Sequence, residues 1–199
     1  TAIQASGGMS ATILAFQRSA NDGDSGLHLS MPGTSLLRPM NVGDTIEPGH
    51  VLQTDGRTRA ELRLSDGSTV YLSTNTEMRL DGEHPRRLHL AQGELIADVA
   101  HLDEGPGAEY MLPFGRVDVL GTKFALTADG DYNSVQVLRG KVALSGLQPN
   151  ASRIEIQPGE EATVSPTGEL DRSALVDAPS THRWSELDGD MGDEEGSAG

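Results

Sequence analysis

Cysteine is absent from this chain of 199 residues. Its absence excludes disulfide bonds, thiolate nucleophiles and zinc sites with cysteine ligands. Lysine is almost absent as well, since only Lys123 and Lys141 occur and the other cations are scattered arginines. The formal net charge is −15. Nucleic-acid binding needs clustered Lys and Arg side chains, so composition argues against a nucleic-acid partner.

Aromatic residues are also few, with one tryptophan, three tyrosines and three phenylalanines. This scarcity argues against a surface that stacks sugar rings on exposed aromatic side chains. No run approaches the ~20 apolar residues that span a bilayer as a helix, so we expect no transmembrane segment in these residues. Because the chain starts at Thr1 and not at methionine, we expect it to be part of a longer protein. What precedes Thr1 or follows Gly199 stays open.

Short segments of alternating apolar and polar residues fill the stretch 41–165, for example Ala60–Leu64 and Val142–Leu144. Alternation points successive side chains to opposite faces of an extended strand, which predicts half-buried β-strands. Turns that contain glycine separate these segments, since glycine adopts the positive φ angles that tight hairpins need. The pattern predicts an all-β domain, and a short-stranded solenoid and a sandwich are its two alternative architectures.

The same pattern sets the expected domain bounds. Residues 1–9 are rich in small residues and predict a flexible leader, and residues 10–165 form the predicted all-β domain. The stretch 166–199 loses the alternation and ends in acidic and glycine residues that cannot bury a core. We therefore expect an irregular acidic tail that is disordered at its end. Its single helical signal is a short turn over Pro179–Leu187, with Ser180 as the cap.

Five blocks of strand and turn residues follow one another between residues 42 and 165. They are VGD from Val42 with PG from Pro48, LSDGSTVYL from Leu64, LHLAQGEL from Leu88, PFGRVDVLGTKF from Pro113 and VLRGKV from Val137. In this order they resemble the FecR-type domain of bacterial extracytoplasmic signalling proteins. Within the blocks we expect structural roles, in turns, kinks and the core, for Asp66, Gly67, Gly93, Pro113, Gly115, Gly121, Thr122, Phe124 and Gly140.

The resemblance implies an all-β, solenoid-like domain outside the cytoplasmic membrane. Its best-known members relay a signal from an outer-membrane iron–siderophore receptor to a sigma factor, as part of an anti-sigma regulator. We therefore expect a non-catalytic protein-binding module in the periplasm or at the cell surface of a bacterium, without a cofactor. Its partner would be a membrane receptor or another envelope protein. The partner's identity, the signal and any link to iron stay open.

Two other functions remain as alternatives. One is an architectural module of a larger secreted or envelope protein, which associates with itself. The other is a carbohydrate-binding or carbohydrate-active β-solenoid. Oligomeric state separates the first alternative from the leading interpretation, because an assembling module elutes as a multimer.

Candidate sites for metal chemistry are few. His84 and His89 precede Glu94, but a spacing of five points two imidazoles to opposite faces of a continuous strand, which does not suit a metal. Asp22 and Asp24 are weak candidates for calcium ligands. Their loop lacks the regular acidic spacing and the final glutamate of a complete calcium loop. We therefore assign no metal site.

Catalytic motifs are absent from the sequence: no nucleophile elbow, zinc-protease helix or phosphate-binding loop occurs. Asp98 and Asp118 are the candidates for the paired carboxylates of a polysaccharide-cleaving solenoid, although acids on the strands of so acidic a chain usually meet water. We therefore expect no enzyme. Binding through strand edges remains, because a partner strand adds to an unpaired edge. We expect such an edge over Arg116–Leu126 or at the terminal strands.

Overall fold

A computed structural model describes residues 7–175 apart from 20–25, 32, 35 and 103–105. This part of the chain forms seventeen β-strands and no helix, so it holds no helix that could cross a membrane. The prediction of an all-β fold is confirmed. The strands are β1 Ala11–Arg18, β2 Leu27–Ser30, β3 Leu37–Pro39, β4 Thr45–Ile46, β5 Val51–Thr54, β6 Thr58–Leu64, β7 Thr69–Leu72, β8 Glu77–Leu80, β9 Arg87–Asp98, β10 Ala108–Met111, β11 Gly115–Val119, β12 Lys123–Ala128, β13 Asn133–Arg139, β14 Val142–Gly146, β15 Arg153–Ile156, β16 Glu160–Val164 and β17 Leu170–Ala174.

The strands form two sheets that share β9. Sheet A has the order β4-β1-β6-β7-β9-β12-β13-β16-β17. Sheet B has the order β3-β2-β5-β8-β9-β10-β11-β14-β15. Along the chain, single strands or pairs of strands alternate between the two sheets, so the chain coils like a solenoid while the two sheets face each other. Both predicted architectures therefore describe part of the fold.

The long strand β9 crosses from one sheet to the other. Its first half pairs with β8 and β10, and its second half pairs with β7 and β12. Gly93 lies at the crossing with a φ of 91°. A Cβ at this position would lie 2.5 Å from Thr76 Oγ1. Glycine is required here both by the positive φ and by the close approach of Thr76.

One hydrophobic core fills the space between the sheets, built from alternate residues of both. Phe124 of β12 is fully buried and meets Tyr110 of β10 edge-on, with ring centroids 5.1 Å apart and an interplanar angle of 89°. Aromatic pairs favour this arrangement. Because β12 is in sheet A and β10 is in sheet B, the contact joins the two layers.

Ordered structure extends beyond both predicted domain bounds. Met9, in the predicted leader, is buried, and its N–H donates to the Asp81 carbonyl at 3.0 Å. Strand β17 lies inside the predicted irregular tail and pairs with β16 along its whole length. Its sequence, LDRSA, lacks apolar alternation, so backbone pairing orders it together with the packing of Leu170 against the core. The rest of the tail, including Pro179–Leu187, and residues 1–6 lie outside the described residues.

Candidate functional site: an open strand edge

Asp66 of the β6–β7 turn belongs to a buried ion pair. Its carboxylate accepts hydrogen bonds from the Ser68 N–H and from Arg86 Nε, both at 2.9 Å, and the Asp66 and Arg86 side chains are 6% and 7% exposed. Arg86 also donates to the carbonyls of Ala100 and Pro106 at 2.8 and 2.9 Å. The pair ties this turn to the connection between β9 and β10. Sequence reasoning missed Arg86, since a single arginine outside a strand pattern carries no signal.

Thr122 connects the start of β12 to the β13–β14 turn. Its buried hydroxyl donates to the Lys141 carbonyl at 3.0 Å and accepts the Lys141 N–H at 3.3 Å. A Cβ on the adjacent Gly140 would approach Thr122 Oγ1 to 2.7 Å. Gly115, the first residue of β11, has no positive φ. A larger side chain is excluded there because a Cβ would lie 2.9 Å from Val164 Cγ1. The remaining motif residues of the turns and bends are Gly67, Pro113 and Gly121.

His84 and His89 both contact the carboxylate of Asp81. His84 Nδ1 lies 3.1 Å from Oδ1, and His89 Nε2 lies 2.9 Å from Oδ2. The prediction that the two rings point apart is wrong, because His84 lies in the turn before β9, where strand alternation does not apply. In the described part of the chain, no group of three or more His, Asp or Glu side chains could hold a metal ion.

Asp81 is held in its ionised form. Burial acts to raise the pKa of this carboxyl, but hydrogen bonds from His89, from the backbone N–H groups of Glu83 and His84, and from the His84 ring outweigh burial. The pKa of Asp81 therefore lies well below its usual range. Since the Asp81 carbonyl accepts the Met9 N–H, this turn also anchors the entry of the chain into the fold.

Asp98 and Asp118 lie on the outer faces of different sheets. Asp98 accepts a hydrogen bond from Arg139 at 2.7 Å, and Asp118 accepts one from Arg153 at 2.6 Å. The hydrophobic core separates the two carboxylates, so they do not form the catalytic pair considered from the sequence. The calcium candidates Asp22 and Asp24 lie outside the described residues.

Three open clefts lie on the described surface, and one of them, of about 580 Å³, is lined by Arg18, Arg57 and Arg59. A cleft of about 670 Å³ beside the β9 crossing is lined by Phe114 and by polar residues that include Asn75, Gln92 and Asp129. No histidine, lysine or arginine lines it, so it offers no cation for an anionic ligand. In another cleft of about 430 Å³, the charged residues Asp118 and Arg153 are already paired with each other.

The edges of the two sheets lie on four strands within the described residues. They are β4 and β17 in sheet A, and β3 and β15 in sheet B. The predicted edge over Arg116–Leu126 is wrong, because β11 and β12 are each paired on both sides. Of the terminal strands, β17 is an edge, as predicted, whereas β1 lies between β6 and β4, which pairs with Ala11 and Thr12.

Three of these edges carry features that hinder strand addition. Strand β4 has two residues, and its neighbour β1 has a bulge at Leu14. Strand β3 has three residues and ends in Pro39, which has no N–H. On β15, the Glu155 carbonyl already accepts a hydrogen bond from Arg172 at 3.1 Å. Shortness, bulges, proline and charged side chains are the usual means of protecting an edge.

Hydrogen bonds on either side of β17 determine which of its backbone groups face β16. The Leu175 N–H donates to the Gly159 carbonyl, and the Ser165 N–H donates to the Glu169 carbonyl. In an antiparallel pair, residues that bond to the partner alternate with residues that do not. The odd-numbered residues from 169 to 175 therefore bond to β16.

The even-numbered residues of β17 direct their backbone groups away from β16. They are Leu170, Arg172 and Ala174. No described strand pairs with this side of β17, and the strand contains no proline, although it carries the charged residues Asp171 and Arg172. It is the longest of the four edge strands and contains no proline, and its outer edge is the candidate functional site.

Residues 50–143 match the family model described as FecR protein. Two crystal structures of a candidate anti-sigma factor from Parabacteroides distasonis ATCC 8503 are similar, at 27% identity with a TM-score of 0.57 and at 26% identity with a TM-score of 0.56. Each similarity covers 68% of this chain. The matched region spans 64% and 63% of the lengths of the two anti-sigma factor chains. No match was found among curated proteins.

Proposed function

We propose that this chain, whose residues 50–143 form a FecR-type domain, is a non-catalytic protein-binding module of a bacterial signal-transduction regulator. It acts outside the cytoplasm, and its partner is a membrane receptor or another envelope protein. The family match and the similarity to a candidate anti-sigma factor support the regulatory role.

The outer edge of β17 carries the proposal. A partner segment in an extended conformation would add one strand to sheet A through the backbone groups of Leu170, Arg172 and Ala174. In this mode of recognition, main-chain hydrogen bonds supply affinity and alternate side chains supply specificity. A partner bound in this way needs neither a deep pocket nor a reactive group.

Site-specific cross-linking tests the proposal. A photo-reactive residue in place of Ser173, whose side chain lies on the outer face of sheet A, would sit beside an added strand. We expect it to form one discrete adduct with an envelope protein in an extract of the source bacterium. Combining it with Ala174→Pro should abolish the adduct, because proline removes an outward N–H and adds bulk at the edge, yet leaves the bonds to β16 in place.

Ala174→Val is the matched control. It keeps the outward N–H and favours the strand conformation, so the adduct should persist. An adduct that survives Ala174→Pro at full yield would place the partner elsewhere and contradict strand addition at β17.

A further inference from the structure

Arg172 lies on the inner face of sheet A, at the open end of the sandwich. It stands opposite Ala162 of β16, which is buried in the core, and residues opposite each other in a strand pair share a face. Its guanidinium donates to the Glu155 carbonyl of β15 across the gap between the sheets. Its side chain is still 52% exposed. A cation therefore lies on the inner face, directly at the open edge.

Most of the donor capacity of Arg172 remains available to a partner. A guanidinium has five N–H donors, and one of them reaches Glu155. The nearest carboxylate, that of Glu160, lies 3.9 Å away, and its Oε2 accepts the Gln157 N–H at 2.8 Å. A carboxylate that arrives on an added strand would meet a cation already held in place, and arginine binds carboxylates in a bidentate geometry.

We propose that the partner presents an extended segment with an acidic side chain opposite Arg172, an inference that rests on the proposed function. In an antiparallel strand, the residue directly opposite Arg172 shares its face, with Cβ atoms about 5 Å apart. The residues opposite Leu170 and Ala174 share that face too, and apolar side chains there would close the end of the core. The residue opposite Asp171 lies on the outer face, where a basic side chain is favoured.

A second copy of this chain fits the same edge poorly. When two β17 strands pair antiparallel over their full length, Arg172 stands opposite its own copy. In the neighbouring register, centred on Asp171, two carboxylates stand opposite each other. Like charges directly opposite destabilise a strand pair. The charge pattern therefore disfavours self-association in these two registers, and a register centred on Ser173 pairs only three residues of β17.

The test uses the full 199-residue chain and two synthetic peptides. The first has the core Val-Thr-Glu-Lys-Val, which places its glutamate opposite Arg172, and the second has lysine in place of that glutamate. Binding is followed by amide chemical shifts in NMR titrations. We expect the glutamate peptide to bind at least about tenfold more tightly, with shifts centred on Leu170, Arg172 and Ala174.

A charge reversal makes the assignment specific. Arg172→Glu should reverse the preference, so that the lysine peptide binds more tightly, while Ala174→Pro should weaken both peptides. Equal binding of the two peptides to the unmodified chain, with Ala174→Pro still weakening both, would overturn the acidic partner and leave strand addition intact. Both proposals would be overturned if neither peptide shifted the β17 amides and if the amides of Leu170, Arg172 and Ala174 were already protected from exchange in the free chain.

Discussion

At the residue scale, the buried pair of Asp66 and Arg86 is the most consequential polar interaction of the described structure. It removes two charges from water and offsets that cost with hydrogen bonds to a backbone N–H and two carbonyls. Removing one partner of such a pair leaves an uncompensated buried charge, which is far more costly than replacing both. Stability therefore depends on the two residues together.

Arg86→Met should lower the free energy of unfolding by about 3–5 kcal/mol, because Asp66 would stay buried without its cation. Urea denaturation at neutral pH measures the change. Arg139→Met is the matched control, since Arg139 pairs with Asp98 on the surface and is 65% exposed. That exposed pair should contribute less than about 1 kcal/mol. Equal losses of stability in the two variants would contradict the stabilising role assigned to the buried Asp66–Arg86 pair.

The pH dependence of stability should report on Asp81. Its pKa is lower in the folded protein than in the unfolded chain, so its contribution is present above the unfolded pKa, about 4, and is lost as the pH falls below that value. The difference in unfolding free energy between the unmodified protein and Asp81→Asn should shrink as the pH falls from about 5 to about 2. Urea denaturation across this range checks the sign. A difference that grows on acidification would refute the assignment.

At the element scale, β9 determines how the two sheets are joined. Alternation within Leu95–Val99 predicts a strand, but no period in the sequence shows that one strand serves both sheets. Glycines between the alternating segments located turns such as those at Gly67 and Gly140, because glycine conformation is a local property. Strand β17 escaped prediction because an exposed edge needs no apolar alternation. Its pairing partner β16 orders it, which is a long-range property.

Gly93→Ala should be strongly destabilising at the crossing of β9. The new Cβ would meet Thr76 Oγ1 at 2.5 Å and the Thr76 Cα at 2.6 Å, and the positive φ adds backbone strain. The loss should be on the order of 3 kcal/mol or more. Thermal and urea unfolding measure it. Gly130→Ala is the control, since a Cβ there meets nothing within 4 Å, and a similar loss in both variants would contradict the local explanation.

At the scale of the whole molecule, charge and edge protection act in the same direction. The net charge of −15 opposes association between copies, and three of the four edges are short, bulged, proline-terminated or already hydrogen-bonded. We expect the purified chain to be a monomer at micromolar concentration by light scattering. A multimer would favour the self-assembling architectural module, especially one that Ala174→Pro dissociates.

The candidate site itself could be predicted only in outline. The resemblance carried by the five blocks agrees with the match of residues 50–143 to the FecR family model, and the prediction of an open terminal edge followed from the short strands. Which edge is open depends on pairings between distant segments, so Arg116–Leu126 was a wrong choice and Arg172 was not singled out. The role of Arg172 follows from its position opposite Ala162 and beside Glu155, which only the fold reveals.

Amide hydrogen exchange of β17 tests the central claim most directly. The measurement compares the free chain with the chain bound to the envelope partner that cross-linking identifies. Strand addition predicts that the outward amides of Leu170, Arg172 and Ala174 exchange quickly in the free chain and slowly in the complex. Unchanged exchange at these three amides, together with protection of another surface, would contradict a binding site at this edge.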